Sequence, residues 1–237
     1  MSFFSGIVHY GKTQISFSVL YSTRKTLGIE VYPDSNVLVK APVGTDAVEI
    51  QKRVFKRVRW ILRQQDYFRQ FDPRTPARQF IGGETHLYLG RQFRLRISKG
   101  SQDSVKLTHG YFSVESKSAL SSDKVKSLLD GWYAAKAAVT FKEIFEGCWP
   151  YFNKLNLMKP RLRIRRMQKR WGSLTRNGTL TLNTDLIRAP KECIDYVITH
   201  ELCHIQFHDH GSDFYRLLGK VMPDWEKRKH KLEFALI

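Results

Sequence analysis

Cysteine is scarce in this 237-residue chain, which holds only Cys148, Cys193 and Cys203. Three thiols exclude a disulfide framework, and their spacing excludes a cysteine-based zinc cluster. No apolar run approaches the roughly 18–20 residues of a membrane span. The opening stretch MSFFSGIVHYGK lacks the basic and apolar regions of a secretory signal. These absences lead us to expect a soluble, cytoplasmic protein with reduced thiols and no membrane partner. Internal sequence repeats and low-complexity tracts are also missing. Acidic residues are few: 22 Asp and Glu face 40 Lys and Arg, a net charge of +18. Such an excess points to an anionic partner (nucleic acid, an acidic surface or a polyanionic substrate) or to a solvated basic surface. A hydrophobic content of 42% excludes intrinsic disorder.

Residues 13–40 alternate at period two through Ile15, Phe17, Val19 and Tyr21, then Leu27, Ile29 and Val31, then Val37 and Val39. With a turn at Pro33-Asp34-Ser35-Asn36, this predicts a short antiparallel meander. One long helix is expected next. Asp46 and Glu49 have capping-box spacing, and Ile50, Val54, Val58 and Ile61 recur at helical intervals. Lys52, Lys56, Arg59 and Arg63 would then form one continuous basic stripe. A loop is expected at 72–79, followed by strands between His86 and Val114 with turns at Gly90 and His109-Gly110. Residues 116–124 read as a linker. Val125, Leu128, Leu129, Trp132, Ala135 and Val139 then describe a long amphipathic helix to about Gly147. The expected organisation is α+β: a β-rich N-terminal domain with one long helix at 1–120, and a second domain at 121–237.

Four of the eight histidines fall between positions 200 and 210, within His200-Glu201-Leu202-Cys203-His204 and its continuation. Pro190 suits a first helical turn, and Ile194, Val197, Ile198, Leu202 and Ile205 keep an apolar helical face through the motif. On a helix His200 and His204 lie about 6 Å apart along the axis, so both imidazoles reach one ion. Glu201 sits beside that line, placed to reach a metal-bound water without ligating the metal. A straight helix would carry His208 about 12 Å from His200. The chain must therefore turn after about Phe207, at Asp209, Gly211 and Ser212. His210 is the expected third ligand, with His208 exposed or in an outer role. Its spacing from His204 is that of H-E-x-x-H-x-x-G-x-x-H enzymes, although Phe207 replaces the glycine. Glu226 lies in a basic run and is not expected to ligate. Cys203 points away from His204 and should be inert. Three imidazoles suit zinc better than iron or manganese in a reducing cytosol.

Four segments resemble the YgjP-like metallopeptidase family of predicted metal-dependent hydrolases, which is related to SprT-like zinc proteases. They are Ile81-Gly82-Gly83-Glu84 through Tyr88-Leu89-Gly90-Arg91; Lys169-Arg170-Trp171-Gly172-Ser173 with Thr179-Leu180-Thr181-Leu182-Asn183; Ala189-Pro190 with Ile194-Asp195-Tyr196-Val197; and His200-Glu201-Leu202-Cys203-His204 with His210-Gly211 and Phe214. The resemblance implies a zincin-like C-terminal metallopeptidase domain, zinc on His200, His204 and His210, and a catalytic carboxylate at Glu201. Leu174 departs from the pattern, since many relatives carry cysteine there, so no thiol chemistry is expected at that position.

Leu162, Ile164, Leu180 and Leu182 alternate like two strands joined through 169–178, with a hairpin turn at Asn177-Gly178. A strand beside the metal helix would hold an extended peptide by β-augmentation, with Arg170 and Trp171 either lining the cleft or packed and solvated. Arg161, Arg163, Arg165, Arg166, Lys169 and Arg170 form a dense basic cluster. The functional expectation is a zinc hydrolase acting on peptide or unfolded protein. Zinc would polarise the carbonyl, and Glu201 would take the proton from the attacking water and pass it to the leaving amine. Alternatives are a metal-dependent nucleoside triphosphate pyrophosphohydrolase, or a nucleic-acid-binding protein with a structural zinc. Sequence-independent nucleic-acid binding through the basic stripe and cluster is a further expectation.

Overall fold

Alternating apolar residues need a surface to cover, and in a computed structural model each patterned stretch finds one. The structure describes residues 3–32, 34–70, 78–118, 120–155, 157–168 and 170–235. Most of the loop expected at 72–79, together with Pro33 and Lys169, lies outside them. The chain divides into two units, Met1–Thr75 and Pro76–Ile237.

In the first unit β1 (Phe3–Tyr10), β2 (Thr13–Ser22), β3 (Gly28–Val31) and β4 (Val37–Pro42) form one sheet in the order β1-β2-β4-β3. Ile15, Phe17 and Val19 of β2 and Val37, Val39 and Ala41 of β4 point to one buried face. The expected antiparallel meander is corrected here: β2 and β4 pair in parallel, and β3 is displaced to the edge. Helices α1 (Ala47–Lys56) and α2 (Val58–Arg69) cover the sheet with Ile50, Val54, Val58 and Ile61. The single long helix expected here is thus two. The Arg57 N–H bonds to the Val54 carbonyl, a tightened turn that interrupts the α-helical ladder. No capping box forms, because the Glu49 carboxylate instead accepts from Arg53 Nε at 2.7 Å. The basic stripe divides accordingly: Lys52 and Lys56 border a groove, whereas Arg59 Nε donates to the Tyr10 hydroxyl at 2.9 Å.

The second unit opens with β5 (Thr85–Tyr88), β6 (Arg91–Lys99), β7 (Ser104–Thr108) and β8 (Tyr111–Ser116), ordered β5-β6-β8-β7. This is the first sheet's pattern again: an antiparallel pair, a parallel pair and an antiparallel pair. The repeat is one of topology without a repeat of sequence. Helix α3 (Ser122–Asn153) starts where the Ser121 hydroxyl accepts the Lys124 N–H. Its buried stripe runs Val125, Leu129, Tyr133, Ala137, Phe141, Phe145, Trp149 and Phe152, rotated from the expected one, and Val139 is 58% exposed. The large aromatic side chains decide which face turns inward, since each removes more apolar surface from water than Ala135 or Val139. Phe112 and Val114 of β8 share one core with α3 and with Cys193, Ile194, Ile198 and Leu202. The boundary expected near residue 120 therefore falls inside this unit, at the link between β8 and α3.

Strands β9 (Arg161–Arg165), β10 (Gly172–Leu174) and β11 (Thr179–Asn183) form a second sheet, with β11 central. The Asn177-Gly178 turn, with Gly178 at φ +69°, joins β10 to β11 and not β9 to β11, which run parallel. Helices α4 (Lys191–Cys203), α5 (Ser212–Val221) and α6 (Trp225–Ala235) complete the chain. No helix among the described residues is long and apolar enough to cross a membrane.

Candidate metal centre

Helix α4 starts at Pro190, whose ring packs on the β5–β6 turn. A Cβ on Gly90 would lie 2.6 Å from Pro190 Cγ, and Gly90 has φ +78°. The Leu89 and Gly90 N–H groups donate to the Ile187 and Arg188 carbonyls at 3.0 and 2.9 Å, which fixes the approach to the helix. Along α4 the side chains of Ile194, Ile198 and Leu202 are buried, leaving His200 and His204 on one side.

The α-helix ends at Cys203, with His204 as its cap, somewhat before the expected turn near Phe207. The chain then reverses through 205–211 and returns His210 to the helix. Candidate ligand atoms of His200, His204 and His210 lie within 4.8 Å of one another, and the His200 and His210 Nε2 atoms are 3.0 Å apart. The structure brings these three together, whereas His208 is exposed and apart from them, and Glu226 lies exposed at the start of α6.

Two features hold the imidazoles. His204 Nδ1 lies 2.9 Å from the Phe207 carbonyl, a contact that makes Nδ1 the donor and leaves Nε2 with its lone pair free. Beneath them Phe214 is fully buried, its ring centroid 4.9, 4.7 and 4.7 Å from those of His200, His204 and His210. Burial, with help from the neighbouring imidazoles, pushes His200 down to about 3, and burial also lowers His210. Imidazoles that burial holds toward the neutral form, as at His200 and His210, fit a borderline divalent cation as protonated ones would not. Among the described residues this is the one such group of ligating side chains.

Glu201 is 8% exposed and packs against β10. Burial pushes its carboxyl up to about 7, against the opposing effects of the Leu174 backbone N–H, which it accepts, and the Arg170 guanidinium. A Cβ on Gly172 would stand 2.7 Å from Glu201 Cγ. Motif inspection pairs Glu201 with the metal but does not reveal Leu174, whose contribution comes from the backbone and is indifferent to its side chain. Asn183, which the sequence marks only as the end of the T-L-T-L-N stretch, has a role that the pattern does not reveal. Its amide donates to the Met167 and Arg170 carbonyls at 2.8 and 3.2 Å and accepts the Met167 and Asp185 N–H groups at 3.2 and 3.1 Å. The approach to β10 is thereby tied to β11.

The remaining candidates separate. Trp171 is half-buried and packs against the core, while Arg170 is exposed. Arg161, Arg163 and Arg165 alternate outward from β9, and Arg166 pairs with Asp130 and Asp185 at 3.2 and 3.3 Å. Within the basic cluster Arg166 is thus ion-paired, while Arg161, Arg163, Arg165 and Arg170 are exposed. Cys203 is fully buried and its thiol is pushed up to about 12 by that burial, so it holds its proton.

Solved structures resemble the chain over part of its length. A zymogen of the metallopeptidase jannalysin from Methanocaldococcus jannaschii is 24% identical to it, with a TM-score of 0.37, over 41% of this chain and 90% of that one. The abylysin zymogen of Pyrococcus abyssi is also 24% identical, with a TM-score of 0.34, over 38% of this chain and 87% of that one. No curated protein matches the chain significantly. The sequence signature of the YgjP-like, metallopeptidase domain matches residues 25–234, and the chain belongs to this family of metal-dependent peptide hydrolases.

Proposed function

We propose that the chain is a zinc-dependent metallopeptidase in which His200, His204 and His210 hold the ion and Glu201 is the general base. The observation that carries this reading is the convergence of three imidazoles beside a buried carboxylate on the same helix. Three neutral nitrogens leave a fourth position open, as catalytic zinc requires. Zinc bound there supplies a Lewis acid and lowers the pKa of water from 15.7 toward about 7. The Glu201 carboxylate accepts the proton of the attacking water and delivers it to the leaving amine. The Leu174 N–H fixes the carboxylate's orientation, and Gly172 leaves room for it.

Strand β10 supplies the substrate's place in this reading. It is an edge strand with β11 on one side, and it runs against Glu201. An extended peptide beside β10 would lie along α4, the zincin arrangement, with the Leu174 N–H already taken by Glu201. Peptide or unfolded protein is the substrate class.

Incubation of the zinc-loaded protein with an unfolded protein, and separately with nucleoside triphosphates, tests the reading. Peptide cleavage that Glu201→Gln abolishes supports it. Pyrophosphate release that needs Glu201, without peptide cleavage, overturns it.

A further inference from the structure

The first unit holds a groove that the metal centre does not use. It has a volume of about 610 Å³ and runs between Leu27 and Ile29 on one side and the outer face of α1 and α2 on the other. Its apolar wall is completed by the half-buried indole of Trp60. Along its border stand Lys52, Arg53, Lys56 and Arg57. The single carboxylate there, Glu49, is engaged by Arg53 at 2.7 Å. Lys52, Lys56 and Arg57 make no ion pair among the described residues.

Positive charges around a concavity, which share the single carboxylate of Glu49 among Arg53, Lys52 and Lys56, repel one another and lower the free energy of an anion placed within it. Three details narrow the class of that anion. Lys52 and Lys56 stand at i, i+4 on α1, about 6 Å apart along its axis, and Arg57 follows at the break before α2. A repeated cation suits a repeated anion better than a single one. Leu27, Ile29 and the Trp60 indole give the mixed lining an apolar, aromatic part, which suits a ligand with a planar apolar group beside its charge. The groove is open, so it admits a chain passing through. A basic groove that tracks a backbone, with an aromatic ring for a base to stack on, is the chemistry of single-strand recognition.

We propose that this groove binds single-stranded nucleic acid, with a base against Trp60 and adjoining phosphates on Lys52, Lys56 and Arg57. An acidic peptide would satisfy the charges and leave the indole without a planar partner. The proposal is independent of the peptidase reading and needs no metal.

The test is fluorescence anisotropy of the full-length protein with a labelled oligothymidylate of about 15 nucleotides, near the upper end of single-site lengths. An abasic strand of equal length and a poly-glutamate peptide are the comparison probes, and a salt series accompanies each. Oligothymidylate should bind at low salt. Lys52→Gln/Lys56→Gln/Arg57→Gln should weaken it about tenfold or more and flatten the salt slope by about 0.7 for each phosphate no longer neutralised. Trp60→Leu keeps the wall apolar. It should weaken oligothymidylate about tenfold, within the range expected when one base loses its aromatic platform, and leave the abasic strand unaffected. Circular dichroism establishes that Trp60→Leu remains folded, and the triple variant alters only exposed side chains. The proposal is overturned by absent binding at low salt, by a triple variant that binds like the parent, or by poly-glutamate binding as tightly with Trp60→Leu indifferent.

Discussion

Gly172 lies so close to Glu201 that a Cβ at this position would stand 2.7 Å from Cγ and 2.8 Å from Oε1 of the carboxylate side chain. Real Cβ atoms do not approach that closely, so any larger residue must displace either β10 or Glu201. Gly90 bears the same relation to Pro190, at the opposite end of α4. The glycines of the Y-L-G-R and W-G-S segments thus make room for the two ends of α4. Gly172→Ala should lower kcat/KM about 10²-fold, the scale of an ångström-sized misplacement, while zinc content stays at one per chain. Unchanged kcat/KM in this variant would mean that the carboxylate's position is not what matters.

Glu201→Gln should retain zinc and lose hydrolysis by about 10²–10⁴-fold. The amide keeps the shape and continues to accept the Leu174 N–H through its oxygen, but it cannot take a proton from water. Steady-state turnover on a cleaved protein substrate, with metal content measured alongside, checks this. Parental turnover would assign Glu201 a purely structural role.

Local periodicity made the clustering of the histidines legible. His200, Glu201 and His204 share a helix whose 3.6-residue repeat fixes their mutual placement, and a helix too straight for His208 requires a turn that returns His210. Most strands, though not β1 (Phe3–Tyr10) or the short β10 (Gly172–Leu174), were readable for the same reason, since alternation is a property of neighbours in the chain. Pairing was not. The parallel partners β2 with β4, β6 with β8 and β9 with β11 are chosen by packing between distant segments, about which period-two alternation is silent. The break at Arg57 carries neither glycine nor proline to announce it. The α3 face was misjudged because small and large apolar residues counted alike, whereas Tyr133, Phe141 and Phe145 outweigh Ala135 and Val139. Backbone contributions to the site, the Leu174 N–H and the Phe207 carbonyl, leave no trace in residue identity.

His210→Ala should lose the metal and His208→Ala should keep it. His210 Nε2 is 3.0 Å from that of His200, and His208 is exposed outside the cluster. Elemental analysis after dialysis reads the difference directly. Zinc removed from the parent by a chelator should also lower the melting temperature, because an ion bound only by the native state stabilises it in proportion to ln(1 + [L]/Kd). His210→Ala should show no such shift. Retention of zinc by His210→Ala together with its loss from His208→Ala would reverse the ligand assignment.

Asn183 provides the last test, because it separates support of the site from the site itself. It is 4% exposed, and its side chain makes four hydrogen bonds to the backbone of Met167, Arg170 and Asp185. Alanine would strand two carbonyls and two N–H groups. A buried polar group left unsatisfied costs about 1–3 kcal/mol, though water reaching the exposed side of the loop would satisfy some of them. Asn183→Ala should therefore destabilise the protein by about 2 kcal/mol or more, read as a lowered denaturant midpoint with unchanged slope. Asn183→Asp retains both acceptor bonds and loses both donors, so its oxygens would face the Met167 and Arg170 carbonyls; it should be no more stable. The segment that loosens is the one leading into β10, so amide exchange should accelerate at residues 170–174 before it does on α4. Metal content should stay at the parent's level, since none of the three imidazoles touches Asn183, while kcat/KM falls with the loss of order at Gly172 and Leu174. A variant of parental stability, or one that loses zinc while β10 remains protected, would show that Asn183 does not act through this strand.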